Sequence, residues 1–158
     1  MDHHCPWVAN CIGFYNYKFF MNMLFHCAVT NWLIVITSYP IIKRTINEPA
    51  SFNYMWSYFI MTSYILSCVL GAIITLFFMF HIYLMCCQFT TIEFCEKRNE
   101  QDNTFHTKQP YNRGFLSNFK SVLGYNVIFW FVPFNPNYEG DGIVFKLNNE
   151  LNQRLQRA

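Results

Sequence analysis

The chain has 158 residues, of which 53% are hydrophobic and 20% aromatic but only 13% charged. Soluble domains carry about 25% charged residues, so this composition excludes an ordinary water-soluble domain and points to a membrane protein. A formal charge of +2 is too small for an electrostatic nucleic-acid binder. No internal repeat or low-complexity tract is evident, and the polar start (Asp2, His3, His4) means that Met1 does not open a signal peptide. Asp2, His3 and Cys5 gather a carboxylate, an imidazole and a thiol within a few residues. That is the inventory of an activated sulfur nucleophile: cysteine attacks as thiolate, an imidazole takes its proton, and an acid orients the imidazole. The same run reads as part of a zinc-binding module, since His and Cys are the usual ligands, and on spacing alone the metal reading leads.

Residues 19–42 and 49–92 contain no Asp, Glu, Lys or Arg. A helix of about 20 apolar residues crosses the ~30 Å hydrocarbon core of a bilayer. Residues 19–42 therefore make one transmembrane helix, and residues 54–87, which lack a polar turn that would split them, make a second, longer one. Residues 43–53, with Pro49, form the connecting loop. Two crossings return the chain to its starting side, so Cys5 and the residues after Cys87 share one aqueous face. Charge bias does not say which face, since Lys43 and Arg44 sit in the loop and the other side is mixed.

Thr90-Thr91-Ile92-Glu93 follows the second span, and by itself reads as a polar helix end reaching water. Phe115, Leu116, Phe119, Val122 and Leu123 recur at helical spacing and form one apolar stripe, with Gly124 placed as the stop and Asn118 at the stripe's edge. Residues 127–134 are apolar but too short to cross, and Trp130 suits a segment docked at the membrane interface. The tail, residues 135–158, is polar and extended, with Gly140-Asp141-Gly142 reading as a turn. Cys27 and Cys68 fall within spans as core-packing residues, whereas Cys86, Cys87 and Cys95 at the membrane edge are candidates for acylation themselves. His26 and His81 read as core or interfacial, and His106 as solvated.

The stretch from Asp2-His3-His4-Cys5-Pro6-Trp7 through Asn10-Cys11-Ile12-Gly13, Asn16 and Phe20 closely resembles the signature of DHHC-type protein S-acyltransferases, the palmitoyltransferases. Thr90-Thr91-Ile92-Glu93 matches that family's Thr-Thr-x-Glu motif, and residues 111–124 resemble its C-terminal element. The resemblance implies an all-α polytopic membrane protein: two transmembrane helices in this chain, a zinc-dependent loop at the N-terminus, and a cytosolic C-terminal tail with a short amphipathic helix. Residues 1–18 would be the end of the cysteine-rich domain and residues 88–158 the cytosolic C-terminal region.

By the same resemblance Cys5 is the acyl-carrying nucleophile, His3 its base and Asp2 the residue that orients His3. Thr91 would hydrogen-bond Asp2, Glu93 would anchor the turn, and Asn118 would brace the domain. His4 and Cys11 match the family's zinc ligands, which is two of the four that a structural site needs. Trp7 is the candidate for contact with the acyl chain, with interface anchoring as the equal alternative. Acyl-CoA and membrane-proximal proteins with free cysteines are the implied substrates, at the endoplasmic reticulum, Golgi or plasma membrane. The family carries a cysteine-rich domain and usually two further helices before the signature; this chain has neither, so it corresponds to roughly the second half of such an enzyme. The competing reading is a non-catalytic membrane protein that acts as a partner subunit.

Overall fold

Among the described residues two short strands, four α-helices and a short 3-10 helix (Val127–Phe129) occur: β1 (His3–Cys5), β2 (Asn10–Ile12), α1 (Tyr17–Asn47), α2 (Tyr54–Cys87), α3 (Thr91–Asn99) and α4 (Phe115–Leu123). The computed structural model describes residues 1–49, 52–99, 110–134 and 140–148. The chain divides into two compact units, one of Met1–Asn22 with Phe80–Ala158 and the other of Met23–Met79.

In the first unit the all-α expectation needs a correction. The N-terminal loop is a β-hairpin, with His3 opposite Ile12, His4 opposite Cys11 and Cys5 opposite Asn10. Pro6 to Ala9 make the turn, with the Val8 amide donating to the Cys5 carbonyl at 3.3 Å and Ala9 at a positive φ of 50°. Asn16 then ties hairpin to helix. Its side chain accepts from the Gly13 amide at 2.7 Å and donates to the Cys11 carbonyl at 2.8 Å, one residue before α1 begins.

The far end of α2 is closed by a Schellman motif. The Phe89 amide donates to the Leu84 carbonyl (3.0 Å) and the Gln88 amide to Met85 (3.2 Å), with Gln88 at φ 56°. Leu84 and Phe89, the apolar pair that accompanies such a cap, are both buried. One residue later a capping box starts α3. The Glu93 amide donates to Thr90 Oγ1 (3.2 Å), and Glu93 Oε2 accepts from the Thr90 amide (2.8 Å) and hydroxyl (2.9 Å). The Thr-Thr-x-Glu sequence is thus a local solution to the unpaired amides that every helix start presents.

Helix α4 ends as its sequence suggests, with Gly124 at φ 92° and its amide on the Lys120 carbonyl at 3.0 Å. Its apolar stripe is only partly covered: Leu123 is buried, but Phe115 and Leu116 are exposed. The described part of the tail, residues 140–148, is folded around Asp141 instead of extended, at the place where the sequence marks a turn. Asp141 Oδ1 accepts from the Ile143 and Val144 amides (2.9 and 3.1 Å), and Tyr15 donates to the Asp141 carbonyl at 2.9 Å. The amides of Val144 and Ile143 hold the Asp141 carboxyl below the usual carboxylate range. Gly142, at φ 74°, lies against the Phe14 ring so closely that a Cβ there would meet it at 2.8 Å. Residues 135–139 and 149–158 of the tail, and His106, lie outside the described residues.

The second unit holds α1 from Met23 to its end and α2 from its start to Met79, parts of two helices long and apolar enough to cross a membrane. Helix α1 continues five residues beyond the charge-free stretch, through part of the expected loop, because charge marks the edge of the apolar segment and not the end of backbone pairing. The Glu48 amide still donates to the Arg44 carbonyl at 2.9 Å, and the Arg44–Glu48 side chains pair at 3.6 Å. Polar side chains along the spans return to their own helix: Asn31 to the Cys27 carbonyl (2.8 Å), Thr37 to Leu33 (2.7 Å) and Thr62 to Tyr58 (2.8 Å). This is what a lipid surround demands of a polar group. Gly71 permits close approach of the two helices, since a Cβ there would sit 3.2 Å from Asn31 Cβ. Nearby, Trp32 donates to Thr75 Oγ1 at 2.9 Å. Cys27 and His26 are exposed on the helix surface, contrary to the core-packing expectation for Cys27.

Candidate active site

Strand alternation sorts the chemistry of the N-terminal motif. Side chains at neighbouring positions of a strand point to opposite faces. In β1, Cys5 is buried and His3 half-buried, while His4 between them is exposed. In β2, Ile12 is buried and Cys11 exposed. His3 and Cys5 therefore share the inner face, and His4 meets Cys11 on the outer one.

The inner face is organised around Asp2, which is 5% exposed. Its amide is fixed by the Ile12 carbonyl at 2.8 Å, and its carboxylate lies at the N-terminus of α3. Oδ1 accepts from the Thr91 amide at 2.6 Å; Oδ2 accepts from the Thr91 hydroxyl at 2.8 Å and from His3 Nδ1 at 2.6 Å. Free amides at a helix start favour an anion there, and hydrogen bonds to a charged acceptor are the stronger kind. A carboxylate holding these three bonds only accepts, so the proton of neutral His3 sits on Nδ1 and leaves the Nε2 lone pair open. Nε2 is buried and has no hydrogen-bond partner among the described residues. The Cys5 thiol is free and 4% exposed. Buried thiol, open imidazole nitrogen and anchored carboxylate are together the parts of a base-assisted sulfur nucleophile.

On the outer face Cys11 Sγ lies 3.5 Å from His4 Nδ1. Sulfur and nitrogen bound to one tetrahedral zinc at about 2.3 and 2.05 Å would be about 3.5 Å apart, so the pair fits as two ligands of a shell. Among the described residues no group of three His, Cys, Asp or Glu side chains is placed to hold a metal, so this pair supplies half a shell at most. Trp7, at the hairpin turn, is 92% exposed and touches neither Cys5 nor His3 through any hydrogen bond or ring contact among the described residues.

Asn118 is fully buried away from the chemistry. It donates to the Cys86 carbonyl (2.8 Å) and Asn112 Oδ1 (2.9 Å), and accepts from the Arg113 amide (3.1 Å). It thereby satisfies one of the carbonyls left open at the end of α2. Ser121, one turn on, bridges to Gln88 with 3.3 Å between Ser121 Oγ and the Gln88 amide nitrogen.

Sequence reasoning missed the neighbours of His3. Phe20 presents an edge to it at 5.3 Å, and His81 lies at 5.7 Å. The available signal was His81 itself, an ionisable residue in a charge-free apolar run, which by default faces protein and function. A cavity of about 270 Å³ adjoins Asp2, with Tyr17, Thr90, Glu93 and Arg113 among its walls.

Residues 1–98 match the family model described as DHHC palmitoyltransferase. The palmitoyltransferase PFA3 of Candida albicans is 34% identical over 180 aligned positions, covering 96% of this chain and 48% of the relative. Palmitoyltransferase ZDHHC15 of Rattus norvegicus is 32% identical, covering 94% and 43% respectively. Probable protein S-acyltransferase 13 of Arabidopsis thaliana is 34% identical, covering 84% and 43%. The chain thus spans a little under half the length of these relatives. It is a membrane protein with two apolar helices, and it belongs to the DHHC palmitoyltransferase family.

Proposed function

We propose that this chain carries the acyl-transfer centre of a protein S-palmitoyltransferase. The observation that carries the reading is the buried, unpartnered Nε2 of His3, set by a carboxylate that α3 anchors. His3 Nε2 takes the proton of Cys5. The thiolate attacks the carbonyl carbon of a long-chain acyl-CoA thioester; the new carbon–sulfur bond forms as the bond to CoA breaks, and the CoA thiolate leaves with the proton from His3. A substrate cysteine then repeats the exchange against Cys5, with His3 again taking the proton. One thioester replaces another at each step, so no ATP is needed.

Asp2 keeps His3 in the right tautomer and stabilises it while it is protonated, and Thr91 and the Glu93 capping box keep Asp2 in place. Asn118 braces the end of α2, from which α3 departs. Zinc, when bound, would pin the hairpin from its outer face, with His4 and Cys11 as two of its ligands and the others from outside the described residues. Acyl chains gain about 0.8 kcal/mol per methylene removed from water, so an enzyme anchored in the bilayer meets its substrate where the acyl chain already prefers to be. Trp7 would contact the first part of that chain. The two helices are read as a multi-pass arrangement with the hairpin and α3 on the cytosolic side, facing membrane-proximal protein substrates.

The test is a hydroxylamine-sensitive acyl adduct on the full-length native protein in membranes supplied with palmitoyl-CoA. Cys5→Ala should abolish the adduct. An adduct that persists in that variant removes Cys5 from the mechanism.

A further inference from the structure

We propose that His81, seated by Tyr17, is a positioning residue that holds the His3 imidazole in its working orientation. This rests on the reading of His3 as the base for Cys5. The bond from Nδ1 to Asp2 and the covalent tether at Cγ set the plane of the His3 ring only as firmly as the side-chain torsions are held. Packing must limit those torsions. Two rings do so: Phe20 meets His3 edge-on at 5.3 Å and 70°, and His81 lies against it at 5.7 Å and 38°. Phe20 and His81 also pack on each other at 5.0 Å and 79°, closing a triangle of three rings.

His81 is 1% exposed, and its Nδ1 lies 3.1 Å from the Tyr17 hydroxyl. Burying an imidazole costs free energy unless it is hydrogen-bonded, and a phenylalanine would fill the place without that cost. What the imidazole adds is a fixed ring plane: Tyr17, at the first residue of α1, pins His81 near the end of α2. His81 thus transmits the geometry of two helix ends to a ring that neither helix carries. Packed against the His3 ring and tied to Tyr17, it acts on the transfer by placing His3.

The experiment follows the rate of hydroxylamine-sensitive adduct formation against palmitoyl-CoA concentration, with the full-length native protein in membranes. His81→Ala removes the wall, and should lower the maximal rate by about 30-fold while KM for palmitoyl-CoA moves by less than about twofold. His81→Phe keeps a ring against His3 but loses the bond to Tyr17, and should recover to within about fivefold of native. Tyr17→Phe should fall by the same factor as His81→Phe, and the double variant no further, because both remove one contact. A native rate in His81→Ala, or a loss confined to KM, overturns the proposal. Tyr17→Phe deletes one oxygen and leaves the packing intact, so a native rate there overturns it even if His81→Ala misfolds. An adduct that survives Cys5→Ala overturns both this proposal and the reading beneath it, whereas a Cys5-dependent adduct at native rate in these variants overturns this one alone.

Discussion

The two units of the chain solve the problem of polar groups in opposite ways. In Met23–Met79 the polar side chains bond mainly back to their own helix, one turn away, and large apolar side chains such as Leu33, Ile36, Phe59 and Leu66 are left exposed. In Met1–Asn22 with Phe80–Ala158, buried Asp2 and Asn118 reach residues distant in sequence. The first pattern suits helices that lipid will cover; the second specifies a shape that lipid cannot supply. Hydrogen bonding within a helix tolerates substitution, because the helix persists without it. A buried bond between separate segments does not, because its loss strands the partner.

This difference ranks the expected effects of substitution. After Cys5→Ala, which abolishes the adduct, His3→Ala should be the most damaging to activity, lowering the first acylation step by about 10²- to 10⁴-fold, read as the initial rate of adduct formation. Asn118→Ala strands the Cys86 carbonyl and the Arg113 amide and should cost about 2–4 kcal/mol, read as a lower temperature of unfolding in detergent. Thr91→Ala loses the hydroxyl on Asp2 but keeps the backbone amide, and should lower the rate about tenfold with little change in stability. Gly142→Ala, which needs a positive φ and room that the Phe14 ring occupies, should release the tail and quicken its proteolysis, at a cost of about 1–2 kcal/mol. Thr37→Val, in the membrane unit, should change stability by under about 0.5 kcal/mol. A large Thr37 effect beside a small Asn118 effect would break the contrast between the units.

The sequence was most legible where a single local rule applied. Charge-free length located both helices, and α2 runs Tyr54–Cys87 as the apolar stretch suggested. Gly124 ended α4 because a left-handed residue was needed there. Legibility failed where the outcome depended on contacts distant in sequence. The hairpin was read as a loop, since strands of three residues carry no measurable period. Gln88 gave no sign of its left-handed conformation, which glycine or asparagine would have advertised. The seat of Gly142 on Phe14, and of His81 against His3, join residues far apart in sequence, and only the folded chain brings them together. The Asp2–Thr91 pair was expected from the family resemblance alone; its geometry adds the reason, a carboxylate at a helix start.

The most direct test of the account is to map the acyl group on the native protein after brief incubation with palmitoyl-CoA, by proteolysis and mass spectrometry under conditions that preserve thioesters. The account predicts the acyl group on the peptide containing Cys5, turning over when a substrate protein is added. A stable acyl group on Cys86, Cys87 or Cys95 with Cys5 unmodified would contradict it.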